Sequence, residues 1–457
     1  MKKLIYITAI IALFFIDRAS AQISPEVDQE LQSTLDSVCS LYKIKGVSAA
    51  VLLPGIGLWK GVYGDSHQGV KMRSDMLLGM GSNTKTHIAA ALLIMQQNGQ
   101  LSLDDSIGKW IIGYPNIPAN ITIRQCLNHS SGLHDYLQND AINDSIFDRP
   151  NRIWTKLEIL KMASTPNFAP GKGWSYSNTN YIVAGIIIEM VAKKAPFEVI
   201  QELILNPHQL NNTFYYGAQG AKVIAHPWSM NMTGTELTDM TTTPLMNNLF
   251  SLANTAGWLI TTAEDNVNFW YKLCTQQVLS NQSWLQMTSM KSIGSNTFYG
   301  LGIFRYNKKL NGRTFYSHGG TFFGYINENV FDTTSKVAIS ALTNQDSLNN
   351  NGLLATVINA LHKLSLKLPT NGLNTLSSVQ FSVFPNPANT ELNLQLDEPN
   401  FNGVVELIDY NGKVISQEEL TKSNMQVNTS YLPNGLYLLR VSTFGKVSTK
   451  RVLIMHN

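Results

Sequence analysis

The sequence predicts a large α/β unit followed by a small all-β one. Strand-like runs stand at both ends of residues 25–364, with helical patterns between them, which suggests one sheet built from the two ends of that segment. The composition shifts near residue 365 toward Pro, Asn, Gly and Ser. Beyond that point only short β signals remain. A chain of 457 residues fits two to four domains at roughly 100–200 residues each. With 44% hydrophobic and only 14% charged residues it can bury a large core.

The first residues read as a secretory signal peptide, 1–21. Lys2-Lys3 supply the positive region, Leu4 to Ile16 the apolar run, and Ala19-Ser20-Ala21 small residues for cleavage before Gln22. An uncleaved anchor is the rival, but the run is shorter than the roughly 20 residues that span a bilayer. No later segment qualifies, so no transmembrane helix is expected after cleavage. Val27, Leu31, Leu35, Val38 and Tyr42 recur at helical spacing. Val47–Leu53 and Gly57–Tyr63 read as strands paired around Pro54-Gly55. A helix follows Ser82 as far as Asn98-Gly99, and Ile182–Ala195 is a second apolar helix. Strands return at Tyr299–Tyr306, Arg313–Ser317, Tyr325–Phe331 and Val337–Leu342, and a helix Leu353–Leu364 closes the unit. Residues 365–380 read as a linker. In 381–457, Leu392, Leu394 and Leu396 alternate with polar residues, Asn411-Gly412 is a hairpin turn pair, and Leu436–Val441 and Val452–Ile454 complete a small β-sandwich.

Charge excludes one class of partner. The formal net charge is +3, and without residues 1–21 there are 31 basic and 30 acidic residues with no basic stripe, so nucleic acid is not expected. Cys39, Cys126 and Cys274 match no metal-site spacing; buried apolar thiols are the expectation, with one disulfide after export the alternative.

The chemistry rests on three short elements. A serine hydroxyl needs a base before it attacks. Ser82-Asn83-Thr84-Lys85 places Ser and Lys on one helical face. The pattern recurs at Ser40–Lys43 and Ser106–Lys109, but only Ser82 follows a Gly-Met-Gly turn and opens a long apolar helix. Burial there would lower the pKa of Lys85. Otherwise Ser82 merely caps the helix and Lys85 lies on the surface. The second element is Ser175-Tyr176-Ser177-Asn178, where a tyrosine beside an ammonium can act as a general base. The third is His318-Gly319-Gly320-Thr321 after a strand, whose glycines admit a substrate close to backbone N–H groups. Half-buried aromatic and ordinary glycine turn are the plain alternatives for these two.

In this order, the three elements resemble the serine β-lactamase and penicillin-binding protein superfamily, in its class C β-lactamase, D-alanyl-D-alanine carboxypeptidase and family VIII esterase branch. His129-Ser130-Ser131-Gly132-Leu133, Ala256-Gly257-Trp258 and Tyr299-Gly300-Leu301-Gly302 agree with it. The resemblance implies a β-lactamase-like α/β fold, an antiparallel sheet flanked by helices plus an all-helical lobe, over residues 25–364. It implies Ser82 as nucleophile, Lys85 and Tyr176 as proton carriers, and Asn178 as donor to substrate or to Lys85. Substrate is held by His318, Gly319, Gly320 and Thr321, and the N–H groups of Ser82 and Thr321 form the oxyanion hole. No metal or organic cofactor is implied, and the partner is a small-molecule or peptide substrate. Which of Lys85 and Tyr176 is the base stays open, as does the choice among esterase, D-specific peptidase and β-lactamase.

Phe384-Pro385-Asn386-Pro387-Ala388 and Leu432-Pro433-Asn434-Gly435-Leu436-Tyr437 resemble the C-terminal sorting domain of the type IX secretion system of Bacteroidetes-type bacteria. That implies the secretion machinery as partner and a secreted or cell-surface location. His318 stands where relatives that bind carboxylates often carry lysine. With an ordinary pKa of about 6.5 it is mostly neutral at pH 7, which favours an ester or neutral amide, and a preference for anionic substrates should rise below about pH 6. A protein that keeps the fold and only binds, or a structural surface protein, are the alternatives to an enzyme.

Overall fold

The computed structural model describes residues 23–230, 236–242, 245–346, 350–368, 381–396, 403–409, 414–420, 422–443 and 446–456. The signal-peptide and Asn411-Gly412 readings, and the linker reading from residue 369 on, lie outside the described residues; at its start Ser365 still belongs to the last helix and Leu368 is buried. The chain divides into two compact units, Met1–Pro369 and Thr370–Asn457.

In the first unit Gly46–Leu53 and Gly57–His67 form a hairpin, and Val47–Leu52 pairs antiparallel with Ala338–Thr343 nearly 300 residues later. The sheet continues antiparallel through Tyr325–Asp332, Arg313–Ser317, Phe304–Leu310, Thr297–Tyr299 and Lys291–Gly294. The two ends of the segment therefore build one sheet. Alternation decides the faces. Val47, Ala49 and Val51 pack with Leu31, Leu35, Ile358 and Leu361 of the first and last helices, Pro25–Leu41 and Asn350–Ser365. Ala50 faces the opposite way, into the larger core. On that side Ala263–Cys274 lies on the sheet, capped by Thr262 Oγ1 accepting from Asp265 N at 3.2 Å.

The remaining helices form a lobe around two buried ones. Thr84–Gln97 is buried from Thr84 through Met95, and Thr179–Ala192 from Thr179 through Ile188. Both lack a polar stripe, as helices enclosed by protein do. The second starts three residues earlier than the apolar pattern suggests, because Thr179 and Asn180 point inward to hydrogen-bond partners in the loop 129–136. It ends at Lys193, which takes a left-handed φ of 54°. The expected strand Tyr299–Tyr306 is broken at residues 300–303. Gly302, with φ +67°, brings the chain against Ala89 and the Lys85 carbonyl, leaving no room for a Cβ. No described helix is long and apolar enough to cross a membrane.

The second unit has a three-stranded and a four-stranded sheet around its own core, including Leu392, Leu394, Val405, Leu439 and Val452. Glu391–Leu396 buries alternate leucines, as its pattern requires. All three cysteines are free and buried.

Candidate active site

A short turn, Gly81–Asn83, precedes the buried helix and carries Ser82. Three residues on, Lys85 is fully enclosed. Its Nζ donates to Ser82 Oγ at 2.9 Å, to Asn178 Oδ1 at 2.8 Å and to the Ala256 carbonyl oxygen at 2.8 Å. Burial pulls the Lys85 pKa down to about 7, against an opposing pull from Asp135. A lysine near neutrality can take a proton at working pH. The surface-lysine reading of Lys85 is excluded.

Tyr176 reaches the same serine from the segment before the second buried helix. Its hydroxyl interacts with Ser82, and the Lys85 ammonium lies 5.1 Å from its ring centroid. Burial pushes its ionisation upward, more than the Ser82 hydrogen bond pulls it back. The neutral phenol is the resting form. Asn178 accepts from Lys85 with Oδ1 and donates with Nδ2 to Asp135 Oδ2 at 2.8 Å. It thus receives from the lysine rather than donating to it, because an ammonium has only hydrogens to offer.

His318, Gly319 and Gly320 stand beside Ser82 on the sheet edge. A Cβ on Gly320 would sit 1.9 Å from the Met80 carbonyl oxygen and 2.8 Å from Ser82 N. Gly81, with φ +47°, would place a Cβ 2.7 Å from the Thr321 carbonyl oxygen. The two glycines let the strand Gly320–Phe322 close onto the turn that carries Ser82. Phe322 and Tyr325 close a two-residue hairpin, so Thr321 falls at a non-hydrogen-bonded pair and its N–H points away from the partner strand. A Cβ on Gly81 would sit 3.1 Å from Thr321 N, so the Thr321 backbone lies against the turn that carries Ser82.

His318 differs from its expected behaviour. It is 2% exposed. Nδ1 must donate to the Gly319 carbonyl oxygen at 2.7 Å, which leaves Nε2 to accept from the Tyr299 hydroxyl at 3.2 Å. Burial lowers its pKa to about 3, with nearby Lys85 adding to the effect. The imidazole is therefore neutral throughout the physiological range. The expected rise in preference for anions below about pH 6 has no charged group to drive it.

Two cavities meet at Ser82 and Thr321. One, of about 410 Å³, lies on the Asn178 side and is walled by Tyr136, Ile146, Leu249, Leu252, Phe322 and Phe323, with Asp346 at its lining. The other, about 430 Å³, lies on the Tyr176 side with Phe304, Tyr306, His318 and Glu328. No lysine or arginine is among the described residues lining either.

Sequence reasoning gave no role to Asp135, to the Ala256 carbonyl or to the His129 ring. His129, at φ 61°, lies with its centroid 4.2 Å from that of Tyr176, and its Nδ1 accepts from Ser177 N and Asn180 Nδ2. The segment 129–133 was visible as a motif, but no spacing shows that its loop passes behind Tyr176.

Comparison with known proteins bears on this geometry. Residues 28–362 match the Beta-lactamase family model, and residues 382–455 match the Secretion system C-terminal sorting domain. Over 163 residues the chain is 27% identical to a penicillin-binding protein of Bacillus subtilis (strain 168), covering 34% of each. Over 200 residues it is 26% identical to Protein flp of Staphylococcus aureus (strain MW2), covering 42% of this chain and 39% of that protein. The chain thus spans well under two thirds of these relatives. Among solved structures, a D-stereospecific amidohydrolase from Streptomyces sp. superposes with a TM-score of 0.64 at 26% identity, over 72% of this chain and 97% of that one.

Proposed function

The chain belongs to the beta-lactamase family of serine hydrolases and carries a secretion sorting tail, and from that premise we propose that it hydrolyses neutral or amine-bearing esters and amides through an acyl-enzyme on Ser82. The observation that carries the reading is Lys85: enclosed, hydrogen-bonded to Ser82 and held near neutrality. A buried lysine held near neutrality against a serine hydroxyl is the arrangement a general base needs, which favours an enzyme over a protein that only binds.

Neutral Lys85 takes the proton of Ser82 as Oγ bonds to the substrate carbonyl carbon. The oxyanion is met by the N–H groups of Ser82 and Thr321. Lys85, now an ammonium, returns the proton by way of the Tyr176 hydroxyl, which gives its own proton to the leaving group as the carbonyl bond to it breaks. Water then attacks the ester carbonyl while Lys85 again accepts a proton, and as the bond from that carbon to Ser82 Oγ breaks Lys85 returns the proton to Oγ and the acid leaves. Lys85 is the base in this scheme because its pKa falls to about 7 while that of Tyr176 rises. The rate should increase with pH through about 7 as Lys85 loses its proton.

The acyl group occupies the apolar cavity beside Asn178, and the leaving group the cavity beside Tyr176, the proton donor. The neutral His318 and the acidic side chains of Asp346 and Glu328 line these cavities, with no lysine or arginine among the described lining residues, which counts against carboxylate-bearing substrates such as β-lactams. The similarity to a D-stereospecific amidohydrolase supports D-amino-acid amides as candidates. With residues 1–21 as a signal peptide, the sorting tail supports action outside the cell.

The deciding experiment is hydrolysis of p-nitrophenyl acetate and D-phenylalanine amide by the wild type and Ser82→Ala. Turnover lost in the variant supports the reading. Equal turnover in both removes Ser82 as nucleophile.

A further inference from the structure

Asn178 is a two-ended side chain between two charges. Its Oδ1 accepts from Lys85 Nζ and its Nδ2 donates to Asp135 Oδ2, both at 2.8 Å. An amide can rotate to exchange these ends, and the exchanged form would set its NH2 group against the ammonium. What prevents it is the acceptor-only carboxylate of Asp135 at the far end. Asp135 is itself fixed: it is 8% exposed, and its Oδ1 accepts from Leu137 N at 3.1 Å at the start of the turn Tyr136–Gln138.

We propose that Asp135 is a positioning residue of the reactive centre, which locks the Asn178 amide and thereby holds Lys85 in line with Ser82. The proposal rests on the reading of Ser82 and Lys85 as nucleophile and base.

Electrostatics give the same residue a second effect. The titratable groups facing Lys85 are Tyr176 and Tyr181 with their rings, His129, His318 and Asp135. Burial holds both histidines neutral and both tyrosines protonated. Asp135 is the group whose charge opposes the burial of Lys85. Removing that charge must lower the Lys85 pKa further and move the acid limb of the rate profile to lower pH.

Two variants of the full chain separate the effects. In Asp135→Asn a single amide oxygen remains, so the charge is lost while that oxygen can still accept from Asn178 Nδ2, giving up Leu137 N, and keep the Asn178 amide oriented. In Asp135→Ala both are lost. The readout is kcat for p-nitrophenyl acetate from pH 5 to 9. The Asn variant should shift the acid limb down by roughly half to one unit. The Ala variant should also lower the high-pH plateau, by about 10-fold or more, as loss of a partner behind a reactive group does. An unmoved limb in Asp135→Asn overturns the electrostatic effect, and an unchanged plateau in folded Asp135→Ala overturns the positioning role. If Asp135→Ala does not fold, Asp135→Ser, whose hydroxyl can still accept from Leu137 N but is too short to reach Asn178, takes its place, and an unchanged plateau there overturns the positioning role. Ser82→Ala, run alongside, shows which reading has failed. If it is inactive while the Asp135 variants behave as wild type, only this proposal falls; if it is as active as wild type, the nucleophile assignment falls first.

Discussion

Gly320 shows how much a single missing side chain does in this site. Its Cα lies so close to the turn that carries Ser82 that a methyl group would overlap the Met80 carbonyl oxygen. Gly320→Ala should push the strand from Ser82 and separate the two backbone donors. Loss of one such donor costs about 10²–10³ in kcat, so a fall of at least about 10² in p-nitrophenyl acetate hydrolysis is expected, with little change in far-UV circular dichroism. His318 makes the opposite point. The type of residue was legible in the sequence, but its charge was not, because burial and two satisfied ring nitrogens set it. The anionic-to-neutral substrate rate ratio of the wild type should therefore stay flat between pH 5 and 8. A ratio that climbs below pH 6 would show that His318 charges after all. Asp135 was illegible for a different reason. A carboxylate two residues beyond Leu133 has no spacing signature, and only the folded loop brings it to Asn178.

At the scale of elements, the helix Thr84–Gln97 carries a conflict. Its burial from Thr84 through Met95 suits alanines, leucines and isoleucines but not the ammonium of Lys85. The folded pKa, about 7, lies below the ordinary 10.5. Below pH 7 both folded and unfolded forms carry the proton, and the fold bears the whole cost. Between pH 7 and 10.5 the folded form releases it first, so the cost shrinks as pH rises. Lys85→Met should thus be more stable than wild type by on the order of a few kcal/mol at pH 6. Thermal melts at pH 6 and pH 10 should show that margin narrowing at the higher pH. This helix was easy to read from its apolar run. The strand near 300 was not: Tyr299 and Phe304 each look like strand residues, and the break between them comes from Gly300 and Gly302 fitting under Met287 and against Lys85. Local pattern cannot announce such tertiary contacts.

The whole first unit is closed by a pairing of remote segments. Ala338–Thr343 inserts between Val47–Leu52 and Tyr325–Asp332, so the centre of the sheet exists only once both ends of the unit have come together. The catalytic candidates, from Ser82 to Thr321, all lie before this strand, yet the strand places them. Ser340 Oγ accepts from Asn266 Nδ2, which also donates to Asn329 Oδ1. Asn329 Nδ2 in turn donates to the His318 carbonyl oxygen and to Asn327 Oδ1. Asn327 Nδ2 donates to the Met80 carbonyl oxygen, directly ahead of the nucleophile turn. This buried chain of amides ties the last strand to the segments that carry Ser82 and His318, and a partly broken network of this kind is costly. A chain ending at residue 337 should therefore neither resist protease nor hydrolyse p-nitrophenyl acetate, although it keeps Ser82, Lys85, Tyr176 and His318. A chain ending at residue 368 keeps the strand, the helix Asn350–Ser365 and both apolar cores of the unit, and it should hydrolyse the ester at the wild-type kcat. Activity in the shorter chain would mean that the site is assembled by local segments alone, and that the closing strand only stabilises what is already formed.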